Sequence, residues 1–529
     1  MNAVLQRQDL HPFVGLDLPA LLARQASARA AHAFLVWQPP DGPAQRYSYA
    51  RFHELVARFA AGLAARGIEA GQRVIVHLEN CPEFLIAWHA CARIGALAVT
   101  TNTRASAEEF AYFVSHSRAR AIITQPGLLA VVQPARRADM LLICLDRDPD
   151  GTAAGDAPID RGLPFGECDG DPSTLPQRVP DPTAANSVQY TSGTTSRPKG
   201  VVWTHANALW SGAVGATHLG LRSDDVGLAF MPLFHTNALA YSMLATLWSG
   251  STLVLMHRFS ASRFWPVAAG EGCTWASMIP FANKALLALP DQPHAFRVWG
   301  NAFVDPLVEE RFGLRIVSWW GMTETISHCI VGTPLQQGTA GAMGKPAPEY
   351  EVAIVDESGA PVAAGGIGRL RVRGRRGLSL FREYLDDPEA TRAAFDAEGW
   401  LLTGDLVRLL ADGSIQFVDR EKDVLKVGGE NVAASEVERV ILGVPGVGEV
   451  AVIGRAHEML DEVPVALVIA AEGAADDLPA RIQAACRERL AGFKVPREVY
   501  LLDEFPRAAL NKIDKRALRV WLREQRPPP

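Results

Sequence analysis

Hydrophobic positions recur at two alternating spacings along the first half of the chain. The spacing of an α-helix is found at Phe52, Leu55, Phe59 and Leu63, and Gly67 follows as a C-terminal cap. The run Arg73–Leu78 then predicts a buried strand, and Pro82–Ile94 predicts an apolar helix. The strand pattern returns at Ser251–Met256. This alternation predicts an α/β fold built in layers.

The pattern changes after about residue 351. Short β runs separated by glycine turns occur at Val352–Val355, Gly368–Arg373 and Ser414–Val418. They predict a small β subdomain. A compact α+β tail follows Arg420, and its helix is predicted over about Leu478–Leu490.

Composition narrows the class of protein. With 529 residues the chain is too long for one core, so several domains are expected. A formal net charge of −6 offers no electrostatic footprint for nucleic acid or an anionic membrane. The seven cysteines are scattered without a Cys-x-x-Cys pair, which predicts reduced thiols and a cytoplasmic location. No apolar stretch is long enough to predict a membrane span, and no signal peptide is expected.

The stretch Tyr190–Gly200 carries the strongest chemical signal. It collects glycine, serine and threonine after a short predicted strand and ends in Pro-Lys-Gly. Gly193 lets the backbone approach a ligand closely, hydroxyl groups add donors, and Lys199 adds positive charge, so the loop can wrap a polyphosphate. It is not a Walker A loop, because Pro198 precedes the lysine and Gly200 follows it.

Four further motifs follow the loop along the chain. They are Arg315–Thr325, a strand that breaks at a glycine before Thr-Glu; Trp400–Leu406, with a predicted Thr-Gly-Asp turn; Asp419–Val432, with Lys-Val-Gly-Gly-Glu-Asn; and Phe505–Lys515, with Pro-Arg before a lysine. Nucleophilic attack on a phosphorus atom builds negative charge, which a Mg²⁺ ion held by a carboxylate can balance. The loop and the motifs together offer lysine, hydroxyl and carboxylate side chains for a polyphosphate ligand.

The loop and these motifs resemble, in order, those of the adenylate-forming enzymes, which include acyl-CoA synthetases, luciferases and peptide-synthetase adenylation domains. The resemblance covers roughly residues 20–519 and is nearest in motif style to the carnitine-CoA ligase-like branch. Three places depart from the family pattern. Ser196 replaces a glycine in the loop, Val298–Phe303 matches the family's adenine turn poorly, and Asn511 replaces a glycine beside Lys512.

The resemblance implies a role for each matching residue. The expected nucleotide contacts are Thr191, Ser192, Gly193, Thr194, Thr195, Lys199, Asn301, Ala302, Phe303, Trp320, Gly321, Asp405 and Arg420. Thr323 is expected at the α-phosphate, and Glu324 is expected to be catalytic and to hold Mg²⁺. Lys512 would bridge the substrate carboxylate and the α-phosphate, whereas Lys515 is expected to be solvated. Gly428 and Gly429 would line a channel for the pantetheine arm of coenzyme A, with Lys422 as a pivot.

The same resemblance implies a fold and a reaction. The fold is a large N-terminal AMP-binding domain over residues 1–421, with subdomains at about 1–180, 181–345 and 346–421, hinged to a mobile α+β domain over 422–529. The first two subdomains are α/β and the third is β. The reaction is an ATP- and Mg²⁺-dependent ligation of a carboxylic acid to coenzyme A through an acyl-adenylate. Domain alternation would serve the two half-reactions, and homodimerisation stays open.

The expected acyl pocket indicates the kind of acid. His235 would close it, and its walls are expected from His235–Tyr241, Ser277–Ile279, Asn301 and Trp319–Trp320. Because polar groups mix there with bulky rings, we expect a short polar or aromatic acid rather than a fatty acid.

Three alternatives to this function stay open. The adenylate could pass to a carrier protein, although the aspartate that usually binds a substrate amine is missing among Thr236, Asn237 and Ala238. The enzyme could instead activate an unusual oxyanion or use a nitrogen nucleophile. The third alternative is an inactive nucleotide-binding relative. Such relatives usually lose at least one site residue, whereas this chain has Lys512, Glu324 and Asp405.

Overall fold

The computed structural model describes residues 11–152, 160–191, 198–290, 292–420, 423–427, 430–457, 460–490, 492–507 and 512–525. They form two compact units. One is drawn from Met1–Thr191, Pro198–Glu351 and Val372–Trp400, and the other includes Val352–Arg371 and Leu401–Pro529. In the described part of the chain, no helix has the length and apolar character needed to cross a membrane.

Two large sheets organise the first unit. Its strands up to residue 346 are β1 Ala33–Gln38, β2 Gln45–Ser48, β3 Arg73–Val76, β4 Leu97–Thr100, β5 Ala121–Thr124, β6 Leu141–Cys144, β7 Leu163–Pro164, β8 Ala185–Thr191, β9 Lys199–Thr204, β10 Val226–Ala229, β11 Thr252–Met256, β12 Trp275–Ser277, β13 Val298–Asn301, β14 Arg315–Trp320, β15 Ile330–Val331 and β16 Lys345–Pro346.

The remaining strands are β17 Glu351–Val355, β18 Ile367–Arg373, β19 Glu383–Tyr384, β20 Leu401–Leu409, β21 Ile415–Arg420, β22 Val424–Val427, β23 Glu430–Ala433, β24 Val447–His457, β25 Asp461–Ala470 and β26 Glu498–Leu501. The predicted α/β class is confirmed. Strand ends differ from the predicted ones by one or two residues at β3 and β21, because the hydrophobic run does not mark where ladder pairing stops.

Most strand pairs in the first unit are parallel, as helical crossovers require. One sheet has the order β19-β9-β8-β4-β3-β5-β6-β7, and the other has the order β16-β15-β14-β13-β12-β10-β11-β1-β2. The early strands β1 and β2 thus belong to the second sheet, and β8 and β9 belong to the first. The subdomain boundaries near residues 180, 345 and 421 stay predictions.

The helices of each unit bury apolar faces. They are α1 Leu18–Ala28, α2 Tyr49–Ala65, α3 Pro82–Ile94, α4 Ala107–Ser117, α5 Leu129–Val132, α6 His205–Leu219, α7 Ala245–Ser249, α8 Ala261–Gly270, α9 Pro280–Leu287, α10 Pro306–Phe312, α11 Pro388–Ala393, α12 Ala434–Leu442, α13 Leu478–Arg489 and α14 Lys515–Glu524. The predicted helix α3 is confirmed. It begins with a proline in its first turn and ends at Gly95, whose φ of 75° is the left-handed conformation that favours glycine.

A π-helix, Asn237–Leu244, precedes α7 directly. Such helices are rare and are frequently found at functional sites, because the wider turn redirects side chains. This segment is largely buried, and it lies within the stretch predicted to line the acyl pocket.

The second unit contains a small antiparallel sheet, β17-β18-β20-β21, and a sheet of β22 to β26. The predicted helix α13 buries Leu478, Ile482 and Cys486, as its spacing indicates. The predicted turn at Thr403–Asp405 is wrong, because these residues lie inside β20. Gly404 has a φ of 71°, so the strand passes through a left-handed residue without ending.

Candidate functional site

Part of the expected site lies outside the described residues. This applies to Ser192, Gly193, Thr194, Thr195, Gly428 and Gly429, together with Lys422 and Asn511. The other expected contacts are described and are divided between the two units. We describe each unit separately.

The two ends of the expected phosphate loop are held by paired strands. Thr191 ends β8 and Lys199 begins β9, and the two residues are direct partners in the antiparallel ladder. Because β8 also pairs in parallel with β4, the loop leaves the carboxyl end of a parallel strand. Ligands bind at that end in open α/β sheets.

The Thr-Glu motif follows the end of β14. Trp320 is its last residue and is largely buried, and Gly321 turns the chain away from the strand. A methyl group at Gly321 would lie 2.5 Å from the Tyr241 hydroxyl, so only glycine fits. Thr323 and Glu324 then lie in a short 3₁₀ turn, where the Glu324 side chain is buried.

A strained turn fixes the chain direction after this motif. Ile326 has φ 67° and ψ −47°, and the Ser327 N–H donates to the Thr325 carbonyl at 2.6 Å. This is a γ-turn of positive φ, which costs a β-branched residue roughly 1–3 kcal/mol. The buried Tyr350 hydroxyl also donates to the Thr325 carbonyl, at 2.8 Å, and so stabilises the turn. Strain of this kind concentrates at functional sites.

Glu324 is oriented by a tyrosine that follows it by sixty positions. The Tyr384 hydroxyl donates to Glu324 Oε1 at 2.8 Å. The Lys199 ammonium lies 4.7 Å from the centre of the same ring. Burial, and next the Glu324 carboxylate, raise the pKa of Tyr384, so the phenol keeps its proton and stays a donor. A lysine, a phenol and a carboxylate thus form one polar row.

Thr323 is held on both its side chain and its backbone. The Thr236 hydroxyl is 3.1 Å from Thr323 Oγ1 and 3.3 Å from the side-chain oxygen Oε1 of Gln189. The indole N–H of Trp203 donates to the Thr323 carbonyl at 3.0 Å. Residues from β8, β9 and the segment after β10 therefore meet at the Thr-Glu motif.

The expected adenine segment lies at the end of β13. Asn301 is buried, Phe303 is half-buried and Ala302 is exposed. The Asn301 amide N–H donates to the Phe303 carbonyl at 3.1 Å. Its Oδ1 is buried and has no hydrogen-bond partner among the described residues.

Expected acyl-pocket residues meet through a polar pair and a ring contact. The Ser277 hydroxyl donates to Asn237 Oδ1 at 2.7 Å. The Tyr241 and Trp319 rings meet edge to face, with centres 5.7 Å apart. A methyl group on Gly300 would overlap the Trp319 indole, so this glycine makes room for the ring. His235 is half-buried after β10, with its ring 4.5 Å from that of Phe234.

Three expected residues meet in the second unit. Asp405 and Arg420 are direct ladder partners on β20 and β21, and Arg420 Nε lies 2.8 Å from Asp405 Oδ1. Asp405 is 1% exposed, whereas Arg420 is half-exposed. Burial and then the charge of Arg420 lower the pKa of Lys512, and Asp405 opposes them. Part of the Lys512 side chain is nevertheless exposed to solvent, so only the rest of the side chain is buried. Arg420 and Lys512 together carry one more charge than Asp405 balances, and this excess positive charge favours an anionic ligand.

The expectation for Lys515 is wrong. Its ammonium lies 2.7 Å from Glu438 Oε1, and both side chains are less than a fifth exposed. The partner is on α12 and is remote in sequence, so spacing within α14 could not indicate it.

Sequence reasoning missed Tyr384 and Gln189 as contacts of the site, and it expected Thr236 in the wall of the acyl pocket but not beside Thr323. Gln189 lies in the strand before the phosphate loop, and Thr236 follows His235, so proximity to a motif was an available signal for both. Tyr384 lies far from every motif. The pairing of β19 with β9 and the hydrogen bond from the Phe381 N–H to the Glu324 carbonyl place it beside Glu324.

The described residues fit a Mg²⁺ ion that is shared with phosphates. Among them, no group of three or more His, Cys, Asp or Glu side chains could hold a metal ion. Mg²⁺ in phosphoryl-transfer sites is typically held by one or two carboxylates together with substrate phosphates and water. A single buried carboxylate at Glu324, in a row with Lys199, agrees with that arrangement.

The chain matches two family descriptions. "AMP-binding enzyme" matches residues 22–385, and "AMP-binding enzyme C-terminal domain" matches residues 436–512. The crotonobetaine/carnitine–CoA ligase of Citrobacter koseri is 35% identical over 504 residues, which are 92% of this chain and 95% of that protein.

Solved structures agree with this similarity. An anthranilate–CoA ligase in complex with anthranoyl-AMP is 26% identical with a TM-score of 0.85, over 98% of this chain and 99% of the other. The O-succinylbenzoate–CoA synthetase of Bacillus subtilis, in complex with ATP and a magnesium ion, is 27% identical with a TM-score of 0.79, over 94% and 99%.

The two-unit α/β architecture and the paired matches define an adenylate-forming enzyme. The chain belongs to the AMP-binding enzyme family, among its AMP-forming acyl-CoA synthetases. Enzymes of this group use ATP, Mg²⁺ and coenzyme A, as expected from the sequence.

Proposed function

We propose that this acid–CoA ligase activates a short carboxylic acid that carries polar or aromatic groups. The observation that carries the proposal is the mixed lining around Trp319. It combines the Ser277–Asn237 hydrogen bond with the Tyr241 ring. An alkyl chain offers polar groups no hydrogen bond, and a buried polar group that is left unpaired costs roughly 1–3 kcal/mol. Aromatic rings can also hold a ring or a quaternary ammonium.

The proposed first half-reaction makes an acyl-adenylate. The substrate carboxylate attacks the α-phosphorus of ATP, and pyrophosphate leaves. Lys512 compensates charge on the carboxylate and the α-phosphate, and Thr323 donates to the α-phosphate. Thr191, Lys199 and the loop between them hold the phosphates, and Asp405 accepts from the ribose hydroxyls. Glu324 is the proposed ligand of Mg²⁺, which supplies charge neutralisation when bound.

The proposed second half-reaction makes the thioester. The thiolate of coenzyme A attacks the acyl carbon, and AMP leaves with the electron pair of the broken bond. Gly428 and Gly429 would give the pantetheine arm a path without side chains. Arg420, Trp320, Gly321, Asn301, Ala302 and Phe303 are the remaining proposed nucleotide contacts.

The other candidates fit less well. The π-helix begins at Asn237 rather than at an aspartate, so a carboxylate for an amino-acid ammonium is missing at that point. An inactive relative would be expected to lose part of the Lys512, Asp405 and Arg420 group, which is intact. We also propose a cytoplasmic location, because seven buried free thiols suit a reducing compartment.

A substrate panel tests the proposal. Release of AMP is measured for palmitate, butyrate, crotonobetaine, benzoate and a cinnamate-type acid, with coenzyme A, without it, and with hydroxylamine as acceptor. We expect the highest kcat/KM for one of the short polar or aromatic acids, with thioester formation only when coenzyme A is present. Palmitate as the best substrate contradicts the proposed acid. If coenzyme A does not stimulate AMP release, the result contradicts coenzyme A as the acceptor of the acyl group.

A further inference from the structure

A buried histidine outside the motifs packs against the Trp319 ring. His328 follows the strained turn at Ile326 and is fully buried. Its ring is stacked on Trp319 with centres 4.2 Å apart and planes 4° from parallel. The Tyr241 ring packs against it at 4.3 Å. His328 thus contacts two of the residues expected to line the acyl pocket, although no motif includes it.

A chain of two further residues leads from His328 toward the surface. His328 Nδ1 lies 3.4 Å from His218 Nδ1, and His218 Nε2 lies 3.2 Å from Glu349 Oε2. The Glu349 side chain is 23% exposed and that of His218 is 8% exposed. Burial above all lowers the pKa of His328 well below its usual range, so its ring is neutral.

This chain determines which nitrogen of His328 carries the proton. When each ring holds one proton, a carboxylate can only accept, so His218 donates from Nε2 to Glu349. Nδ1 of His218 is then an acceptor, and His328 donates to it from Nδ1. His328 Nε2 is left as an unprotonated acceptor that points away from His218. The Glu349 carboxylate therefore acts on His328 through His218.

Two buried polar atoms of this segment have no partner in the part of the chain that the structure describes. They are His328 Nε2 and Ser327 Oγ. Native proteins pair nearly all buried polar groups, so an unpaired nitrogen in a ring that is stacked on Trp319 indicates a place that a ligand completes.

We propose that Nε2 of His328 accepts a hydrogen bond from the acyl part of the substrate, and that the enzyme therefore selects acids with a hydroxyl or amino donor. This inference rests on the proposed function and names its substrate class more narrowly. His328 is the residue that determines this specificity, and His218 and Glu349 are positioning residues. A site built around a buried acceptor discriminates against an analogue that lacks the donor, by about 10- to 100-fold for one such bond.

Matched acids test the selection. Benzoate and butyrate are compared with their hydroxy and methoxy derivatives at each ring or chain position, at pH 8.5, by kcat/KM for AMP release. We expect at least one hydroxy acid to exceed both its unsubstituted and its methoxy counterpart by about 10- to 100-fold. His328→Leu should abolish most of that ratio, and His328→Gln, which retains an acceptor oxygen, should keep part of it.

The control removes a buried imidazole elsewhere. His89 on α3 is fully enclosed by Phe52 and Trp88, and neither ring nitrogen has a partner among the described residues. His89→Leu should leave the hydroxyl preference unchanged. If His328→Leu does not fold, His328→Phe replaces it, because phenylalanine keeps a ring against Trp319 and has no acceptor, and it should lose most of the ratio.

A second readout reports on the positioning residues. ¹⁵N spectra of histidine-labelled protein should show His328 protonated at Nδ1, and Glu349→Gln should shift that tautomer and raise KM for the preferred hydroxy acid more than it lowers kcat. Equal preference for hydroxy and methoxy acids, or a preference that survives in His328→Leu, overturns this inference and leaves the proposed function intact. No AMP release from any acid overturns the proposed function and this inference with it.

Discussion

The Tyr384 hydroxyl lies 2.8 Å from Glu324 Oε1, and Lys199 lies over the same tyrosine ring. The phenol therefore links the carboxylate proposed for Mg²⁺ to the lysine of the phosphate loop. A hydrogen bond to a charged group contributes about 1.5–3 kcal/mol. It also restricts the rotamer of Glu324, which matters for an ion that demands near-ideal octahedral geometry.

Tyr384→Phe should therefore weaken the use of Mg²⁺. We expect the free Mg²⁺ concentration for half-maximal adenylation to rise by about 10-fold, from the loss of one charge-assisted hydrogen bond. Titration of pyrophosphate exchange against Mg²⁺ measures it. Tyr49→Phe is the matched control, because its hydroxyl donates to the Ser251 carbonyl at 2.8 Å in the core. An equal shift in both variants contradicts the role of Tyr384.

Lys512→Ala should abolish adenylate formation and largely spare thioester formation from a supplied acyl-adenylate. The lysine balances charge that develops only in the first half-reaction. Lys515→Ala is the control from the same segment, since it breaks the ion pair with Glu438 and should leave both half-reactions intact. Pyrophosphate exchange near the wild-type rate in Lys512→Ala refutes the assignment.

The lowered pKa of Lys512 should appear in the alkaline limb of the adenylation rate. Its ammonium loses the proton at a lower pH than an ordinary lysine, so activity should decline earlier as the pH rises. Lys512→Arg stays protonated and should move the decline to higher pH, at a reduced rate. The lowered pKa also makes the folding stability depend on pH. The unfolded chain binds this proton more tightly, so the contribution of Lys512 to stability rises with pH between the folded and unfolded pKa values.

Asp405→Asn should weaken ATP binding. An amide has one acceptor oxygen and cannot replace a carboxylate that accepts from two hydroxyls and pairs with Arg420. We expect the KM for ATP to rise by about 10- to 100-fold, from charge-assisted bonds of about 1.5–3 kcal/mol. Asp356→Asn changes an exposed carboxylate of the same unit and should not alter this KM. An unchanged KM for ATP in Asp405→Asn eliminates the ribose contact.

Lys422→Pro should impair thioester formation and spare adenylation, which is the reverse of the effect expected for Lys512→Ala. Proline restricts the φ angle of the expected pivot, so the change between half-reactions should be impaired. Adenylation should survive while thioester formation falls sharply, as single-turnover assays of each step can show. Equal loss of both steps argues against a pivot at Lys422.

Motif chemistry could be predicted from the sequence because it is local. The Thr-Ser-Gly-Thr-Thr composition after β8, the Thr-Glu pair after β14 and the periodic apolar face of α3 each occupy one short stretch. Backbone preferences and side-chain spacing act over a few residues, so these features identify the fold class and the family without a structure.

Contacts between distant stretches were decided only by the tertiary structure. Tyr384 reaches Glu324 because β19 pairs with β9, and Asp405 meets Arg420 because the β20–β21 register aligns them. The left-handed Gly404 inside a strand, the γ-turn at Ile326 and the stack of His328 on Trp319 likewise depend on neighbours supplied by other elements. Sheet order and register set these neighbours, and a linear pattern specifies neither of them.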